Sequence, residues 1–133
     1  MAGSLASSVK LLLDFHAAAE LPFPATAQWA DHLYNTARTD PNWLCVEKPG
    51  GVLLAVCGPS LLGPFKAAQE VAWWVDPAYR GDSVGMLIEY EKWAILQGVK
   101  AIEVKSLTKF PEVETLYARL GYAPLESSWV KWR

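Results

Sequence analysis

The chain has 133 residues, of which 52% are hydrophobic and 20% are charged, and its formal net charge is -2. This length predicts one domain spanning 1–133, and the hydrophobic content excludes an intrinsically disordered chain. The sequence has no run of lysine or arginine that could displace counterions from a nucleic acid, so we expect no nucleic-acid partner.

The sequence also argues against a membrane, secretory or zinc-binding protein. No apolar stretch approaches the roughly 18 residues of a membrane span, and the N-terminal segment lacks the basic n-region of a signal peptide. Cys45 and Cys57 lack the paired spacing of a zinc site. We therefore expect a cytoplasmic protein with no metal. Seven tryptophans are more than a small core needs, which favours a groove or a homodimer surface.

Apolar residues spaced three and four apart predict a first helix over 5–19. The prolines of "LPFP" (21–24) end it, because proline removes a backbone donor and restricts the residue before it. A second helix is expected to begin at Thr26, whose hydroxyl can cap the first turn, and to end at Asp40-Pro41.

The rest of the chain alternates between strand and helix patterns. In order, we predict three strands, a helix, a strand, a helix and a strand, at 42–47, 51–58, 68–75, 84–97, 100–106, 111–120 and 127–133. Consecutive strands followed by alternation favour an α/β (α+β) fold with a mixed sheet and helices on both faces.

The stretch "WVDPAYRGDSVG" joins the strand that ends at Val75 to the following helix. The first turn of a helix leaves backbone N–H groups unpaired and carries partial positive charge, which suits an anion. The small residues let an anion approach the backbone closely; they are Gly81, Ser83 and Gly85. Arg80 adds the positive charge of its guanidinium. A tight turn with a surface arginine explains the same residues, and the pattern is neither a Walker loop nor a dinucleotide fingerprint.

This stretch resembles motif A of the GCN5-related N-acetyltransferases (GNATs). Val75 and Pro77 match its lead-in, Arg80 its first basic position and Gly85 its last glycine. Three positions depart from the family pattern. Ser83 replaces the usual central glycine, and its Cβ narrows the approach to the backbone. Two further departures are Asp82, where lysine or arginine is frequent, and Phe110, where asparagine is frequent.

A second segment, "TLYARLGYAP", resembles motif B of the same family, with Tyr117, Gly121 and Tyr122 in place. The segments "FHAAAELPFP", "GPFKAAQEVAWWV" and "LYARLGYAP" are also similar to short acetyltransferase-like proteins carried by bacteriophages. The resemblance covers about 68–133 and implies a mixed, mostly antiparallel sheet with a splayed cofactor cleft between two central parallel strands. The family's first strand has no counterpart, because "MAGSLASS" is too small and polar to form one.

The resemblance implies an N-acetyltransferase that uses acetyl-coenzyme A and no metal. The pantetheine arm would lie along the end of the third predicted strand, at Trp73, Trp74 and Val75. The diphosphate would lie on the backbone of the following loop, at Arg80, Gly81, Asp82, Ser83, Val84 and Gly85. The acceptor would be a primary amine of a small molecule or a protein.

The resemblance also suggests catalytic roles. Tyr117 would protonate the departing thiolate, although a buried packing tyrosine is the plainer interpretation. Glu70 would be the general base if it is desolvated, and an exposed edge carboxylate if it is not. His16 and Phe23 are candidates for the acceptor site, and His16 alone is more typical of packing.

A second hypothesis comes from another functional class. The departures at Asp82 and Ser83, together with the aromatic surface, suit a GNAT-fold phage accessory or virion-associated interaction protein with weak or no catalysis, located in the host cytoplasm.

Overall fold

The computed structural model describes residues 5–133; residues 1–4, which begin the segment without a predicted strand, and the side chains of residues 5–7 and 82 lie outside the description. The elements are α1 (Leu5–Ala19), α2 (Ala27–Thr39), β1 (Trp43–Lys48), β2 (Gly51–Pro59), β3 (Lys66–Val75), a 3₁₀ helix (Pro77–Asp82), α3 (Ser83–Leu96), β4 (Ala101–Glu103) and α4 (Val113–Arg119).

The helix boundaries follow local capping chemistry. The Thr26 hydroxyl accepts a hydrogen bond of 3.1 Å from the Trp29 amide, which confirms the predicted start of α2. After α3, Gly98 adopts a φ of +76°, the left-handed conformation that commonly closes a helix. Among residues 5–133, no helix has both the length and the hydropathy needed to cross a bilayer.

The four strands form one mixed sheet in the order β1-β2-β3-β4. The first two pairings are antiparallel and the β3–β4 pairing is parallel. Strand β2 is apolar throughout because both its faces are covered. Val52 and Leu54 pack under α1 and α2, whereas Leu53 and Ala55 pack under α3 and α4. The prediction of helices on both faces of a mostly antiparallel sheet is confirmed.

A β-bulge interrupts the pairing of β2 with β3. Leu54 pairs with Ala72 but the next residue, Ala55, pairs with Glu70, so Val71 has no partner in β2. Residues three apart in a regular strand face opposite sides of the sheet. The extra residue removes that alternation. As a result, Glu70 and Trp73 both face α3 and α4.

Two predicted strands differ from the structure. The strand expected at 100–106 pairs only over Ala101–Glu103, because β3 diverges from it beyond Gln69. The strand expected at 127–133 does not form, and Trp129 is 94% exposed. The end of the chain instead reaches the α1–α2 connection, where the ring centroids of Trp132 and Phe23 are 6.1 Å apart. In the described sheet β4 is therefore an edge strand.

Candidate active site

The sheet opens between its two parallel strands. Ala67 pairs with Ala101 and Gln69 pairs with Glu103, but β3 continues to Val75 without a partner on that side. Parallel strands that stop pairing leave backbone donors and acceptors available along one strand. This opening lies where the resemblance implies a splayed cleft, except that β4 is an edge strand of the described sheet and not a central one.

The direction of the free backbone groups follows from the β2–β3 pairing. The Asp76 amide donates to the Gly50 carbonyl at 2.8 Å, and directly opposed residues in antiparallel strands alternate between bonded and non-bonded pairs. Trp74 is therefore bonded to β2, whereas the N–H and C=O groups of Trp73 and Val75 point away from β2. They face the open side of β3, where an extended ligand could pair with those that have no partner. The Val75 carbonyl already accepts from Arg80 Nε.

A small cavity of about 30 Å³ lies where the two strands diverge. Its lining comes from both faces of the sheet and consists of Phe15, Glu70, Trp73, Lys105, Leu107, Phe110, Val113 and Tyr117. Side chains from opposite faces can share a cavity only where the sheet between them is open. The cavity brings together the two predicted catalytic residues, Glu70 and Tyr117.

Glu70 lies in the middle of β3 and is only 5% exposed. Burial raises the pKa of its carboxyl to about 7, against the opposing effects of the Lys105 ammonium charge and backbone N–H. Of the two interpretations that the sequence left open for Glu70, the structure has the buried carboxyl and not the exposed edge carboxylate. Such a carboxyl exchanges protons near neutral pH, as a general base must.

Tyr117 is buried, and its hydroxyl donates a hydrogen bond of 2.8 Å to the Lys105 carbonyl. Burial, followed by the charge of Glu70, raises the pKa of this phenol, so it stays protonated at neutral pH. Tyr90 donates in the same way to the Glu103 carbonyl at 2.7 Å. The two tyrosine hydroxyls are thus hydrogen-bonded to backbone carbonyls of β4 and of the residues that follow it, next to the opening.

The segment expected to be an open glycine-containing loop is helical. The 3₁₀ helix runs directly into α3, the Asp76 side chain caps it by accepting from the Ala78 amide at 3.0 Å, and the Ser83 amide donates to the Arg80 carbonyl. Asp76 followed by Pro77 is a helix start signal, so the helical backbone begins six residues before Ser83. The Ser83 amide is consequently not unpaired here, and the expected open loop is wrong.

The Arg80 side chain extends from the 3₁₀ helix to the end of β3. Its Nε donates to the Val75 carbonyl at 2.9 Å, and its guanidinium carbon lies 5.1 Å from the centroid of the Trp74 ring. Val75 is one of the residues whose backbone faces the cleft. Arg80 therefore covers part of the cleft mouth, a position that the sequence alone did not indicate.

A larger cavity of about 340 Å³ adjoins the start of α3 and is lined by Lys48, Pro49, Gly51, Val75, Tyr79, Ser83, Gly85, Met86 and Glu89. Cβ atoms added at Gly81 and Gly85 would meet nothing within 4 Å. Lys48 contributes a cation at the rim, where it forms an ion pair of 2.9 Å with Glu89. Small residues therefore border open space, as close approach of an anion requires.

The remaining candidates are placed as follows. Val84 is 39% exposed on α3. His16 and Phe23 do come together, with ring centroids 5.8 Å apart, and His16 also contacts Trp29 at 5.9 Å. Neither lines the cavity at the strand opening, although Phe15, the residue before His16, does.

Sequence reasoning missed several residues of the cavity. Phe15 and Lys105 were not singled out, and Phe110 was noted only as a departure from a motif. Lys105 and Phe110 belong to the connection between β4 and α4, whose path depends on where the strand pairing ends. Proximity in sequence to motif B is the one signal that could have pointed to them.

Neither a protein-family model nor a curated protein matches the sequence. Solved structures do match along nearly the whole chain. A ribosomal-protein-alanine N-acetyltransferase from Brucella melitensis is 18% identical, with a TM-score of 0.70 and coverage of 97% of this chain and 93% of that one. A GNAT family acetyltransferase from Staphylococcus aureus is 14% identical, with a TM-score of 0.67 and coverage of 97% and 89%.

The chain has the GNAT fold. A third structure, described as a transcriptional regulator from Bacillus halodurans, is 19% identical, with a TM-score of 0.78 and coverage of 98% and 94%. These identities are low, so the GNAT likeness rests on architecture. What this chain does must come from its own site.

Proposed function

We propose that this chain is an N-acetyltransferase that moves an acetyl group from acetyl-coenzyme A to a primary amine by direct transfer. One observation carries the proposal: a buried carboxyl with a pKa of about 7 and a buried phenol share a cavity where two parallel strands of a GNAT fold diverge. The structural neighbours whose names state an N-acetyltransferase support the same class of chemistry.

The residues present fit the acyl end of this co-substrate. When bound, acetyl-coenzyme A supplies a thioester carbon that an amine nitrogen can attack. The backbone of Trp73 and Val75 would hold the pantetheine arm through the groups that face away from β2. At the other end, the cavity bordered by Ser83, Gly85 and Lys48 would hold the diphosphate, with α3 contributing its N-terminal dipole.

The chain's own side chains then account for the proton movements. Glu70 removes a proton from the amine, because only a neutral nitrogen has the lone pair that forms the new N–C bond. Tyr117 gives its proton to the sulfur as the C–S bond breaks, and its phenolate recovers a proton from the newly acylated nitrogen. The raised pKa of Tyr117 keeps the phenol protonated until that step. Phe15 and Phe110 line the same small cavity and exclude water that could hydrolyse the thioester.

Binding and turnover are tested separately. We expect acetyl-coenzyme A to raise the melting temperature, since a ligand at a hundredfold excess over its Kd stabilises by about 2.7 kcal/mol. Gly85→Val places a branched side chain in the open space beside the cavity and should weaken binding at least tenfold. Gly58→Val is the matched control, because a Cβ there also meets nothing within 4 Å but lies on β2, away from the cavity.

Turnover is measured as thiol release with an alkylamine, glucosamine and a peptide that begins with alanine. We expect release that depends on the amine and is lost in Glu70→Gln. Failure of acetyl-coenzyme A to bind the wild-type protein would overturn the proposal.

A second candidate is a ligand-binding or interaction protein with the GNAT fold and no catalysis. The observation that favours it is the bonded amide of Ser83, together with an Arg80 side chain that contacts Val75 and Trp74. Binding of acetyl-coenzyme A without amine-dependent thiol release would support this candidate over the enzyme.

A further inference from the structure

The indole N–H of Trp73 is buried and has no hydrogen-bond partner in the described structure. Trp73 lines the small cavity at the strand opening together with Glu70 and Tyr117. A buried donor without an acceptor is unfavourable, since it has lost its bond to water and gained nothing in return. A ligand that supplies the missing acceptor is one explanation for such a group. The Trp74 indole N–H is also buried without a partner, but Trp74 does not line this cavity.

The bulge at Val71 explains why Trp73 is beside the proposed base. In a regular strand Trp74, and not Trp73, would share a face with Glu70. The extra residue reverses the alternation, so that Trp73 packs with the cluster under α3 and α4 while Trp74 packs on the other face. Bulges frequently redirect side chains next to active sites.

The neighbouring phenol already has a partner in this structure. The Tyr117 hydroxyl donates to the Lys105 carbonyl, and the acid role proposed for Tyr117 requires it at the sulfur. Among the side chains that line this cavity, the buried donor without a partner is therefore the Trp73 indole N–H. In acyl transfer, negative charge develops on the carbonyl oxygen, and a positioned N–H stabilises it.

We propose that the Trp73 indole N–H donates a hydrogen bond to the acetyl carbonyl oxygen and stabilises the charge that develops there. This inference rests on the proposed function and adds a side-chain donor to the backbone groups of β3. The group required of the ligand is a carbonyl placed between the base and the leaving sulfur.

Nuclear magnetic resonance of the indole N–H groups tests the contact without catalysis. The seven tryptophans give separate indole signals, and sequential assignment identifies that of Trp73. The two ligands are coenzyme A, which has no acetyl carbonyl, and a carba analogue of acetyl-coenzyme A in which CH₂ replaces the thioester sulfur. We expect the analogue, and not coenzyme A, to move the Trp73 signal downfield and to slow its hydrogen exchange at least tenfold.

The outcomes are distinguishable. An equal response to both ligands, or no response to a bound analogue, overturns the role of Trp73 and leaves the proposed function standing. If neither ligand binds, the proposed function fails and this inference fails with it.

Kinetics give an independent test. Trp73→Phe keeps an aromatic ring but removes the donor, and we expect kcat to fall about 100-fold, as when one oxyanion donor is lost elsewhere. The KM for acetyl-coenzyme A should stay within about twofold. Tyr34→Phe is the matched control, since it also removes a buried polar group from an aromatic side chain, but in the cluster under α1 and α2. Equal kcat values for Trp73→Phe and the wild-type protein would overturn the proposal.

Discussion

Glu70 is the residue whose protonation state decides whether the proposed site works. The base must be ionised to accept a proton, so we expect kcat/KM to rise with pH through about 7, the pKa of the buried carboxyl. Lys105→Met should move this rise to higher pH at low ionic strength, because the lysine charge lowers the pKa of Glu70. A pH–rate profile checks both expectations, and a rise centred near the ordinary glutamate pKa would contradict them.

The same carboxyl makes stability depend on pH. Because its pKa is 4.5 when unfolded and about 7 when folded, the folded protein binds the additional proton between these values. The free energy of unfolding should therefore fall as pH rises from 4.5 to about 7, by roughly 3 kcal/mol, and then level off. Urea unfolding of Glu70→Gln should lack this decline and exceed the wild-type stability at pH 8.

A comparison of Tyr117 and Tyr90 variants distinguishes a catalytic role from a structural one, because each hydroxyl donates to a carbonyl of β4 or of the residues that follow it. Tyr117→Phe and Tyr90→Phe should each cost about 1 kcal/mol of stability for the lost bond. Only Tyr117→Phe removes the proposed acid, so we expect its kcat to fall about 100-fold and that of Tyr90→Phe to change less than threefold. Equal losses of kcat in the two variants would show that both tyrosines act only through the fold.

At the scale of elements, the β1–β2 turn packs against the 3₁₀ helix that precedes α3. Gly50 has a φ of +70°, and a Cβ there would lie 2.3 Å from a ring carbon of Tyr79. Gly50→Ala should therefore lose about 2 kcal/mol or more through backbone strain and overlap. Urea unfolding measures the loss, and Gly50→Ala combined with Tyr79→Ala should recover the part due to overlap. Gly58→Ala, with open space around its Cβ, should change stability little.

The order of helices and strands as far as α4 could be predicted from the sequence, because apolar spacing and the prolines and glycines between segments are local signals. The bulge could not be predicted, since Val71 is extra only relative to its partner strand. Without the bulge, Glu70 and Trp73 would be placed on opposite faces of the sheet. The early helix start at Pro77 did have a signal, the Asp76-Pro77 pair, which the glycines that follow obscured.

At the scale of the whole molecule, the GNAT fold places α1 and α2 on one face of the sheet and α3 and α4 on the other, and the opening between β3 and β4 connects the two. The chain after α4 also passes between these sides, from Tyr122, which bonds to Glu91 on α3, to Trp132, which contacts Phe23 beside α2. The sequence predicts a final strand there, at 127–133. A strand forms only with a partner, and partner choice is a property of the whole molecule.

The most direct test of the central claim is backbone hydrogen exchange along the end of β3, measured with and without acetyl-coenzyme A. The amides of Trp73 and Val75 face the open side, whereas that of Trp74 faces β2. We expect the ligand to slow exchange at Trp73 and Val75 and to leave Trp74 nearly unchanged. Bound ligand with no added protection at Trp73 and Val75 would contradict the proposal that the strand opening holds the pantetheine arm.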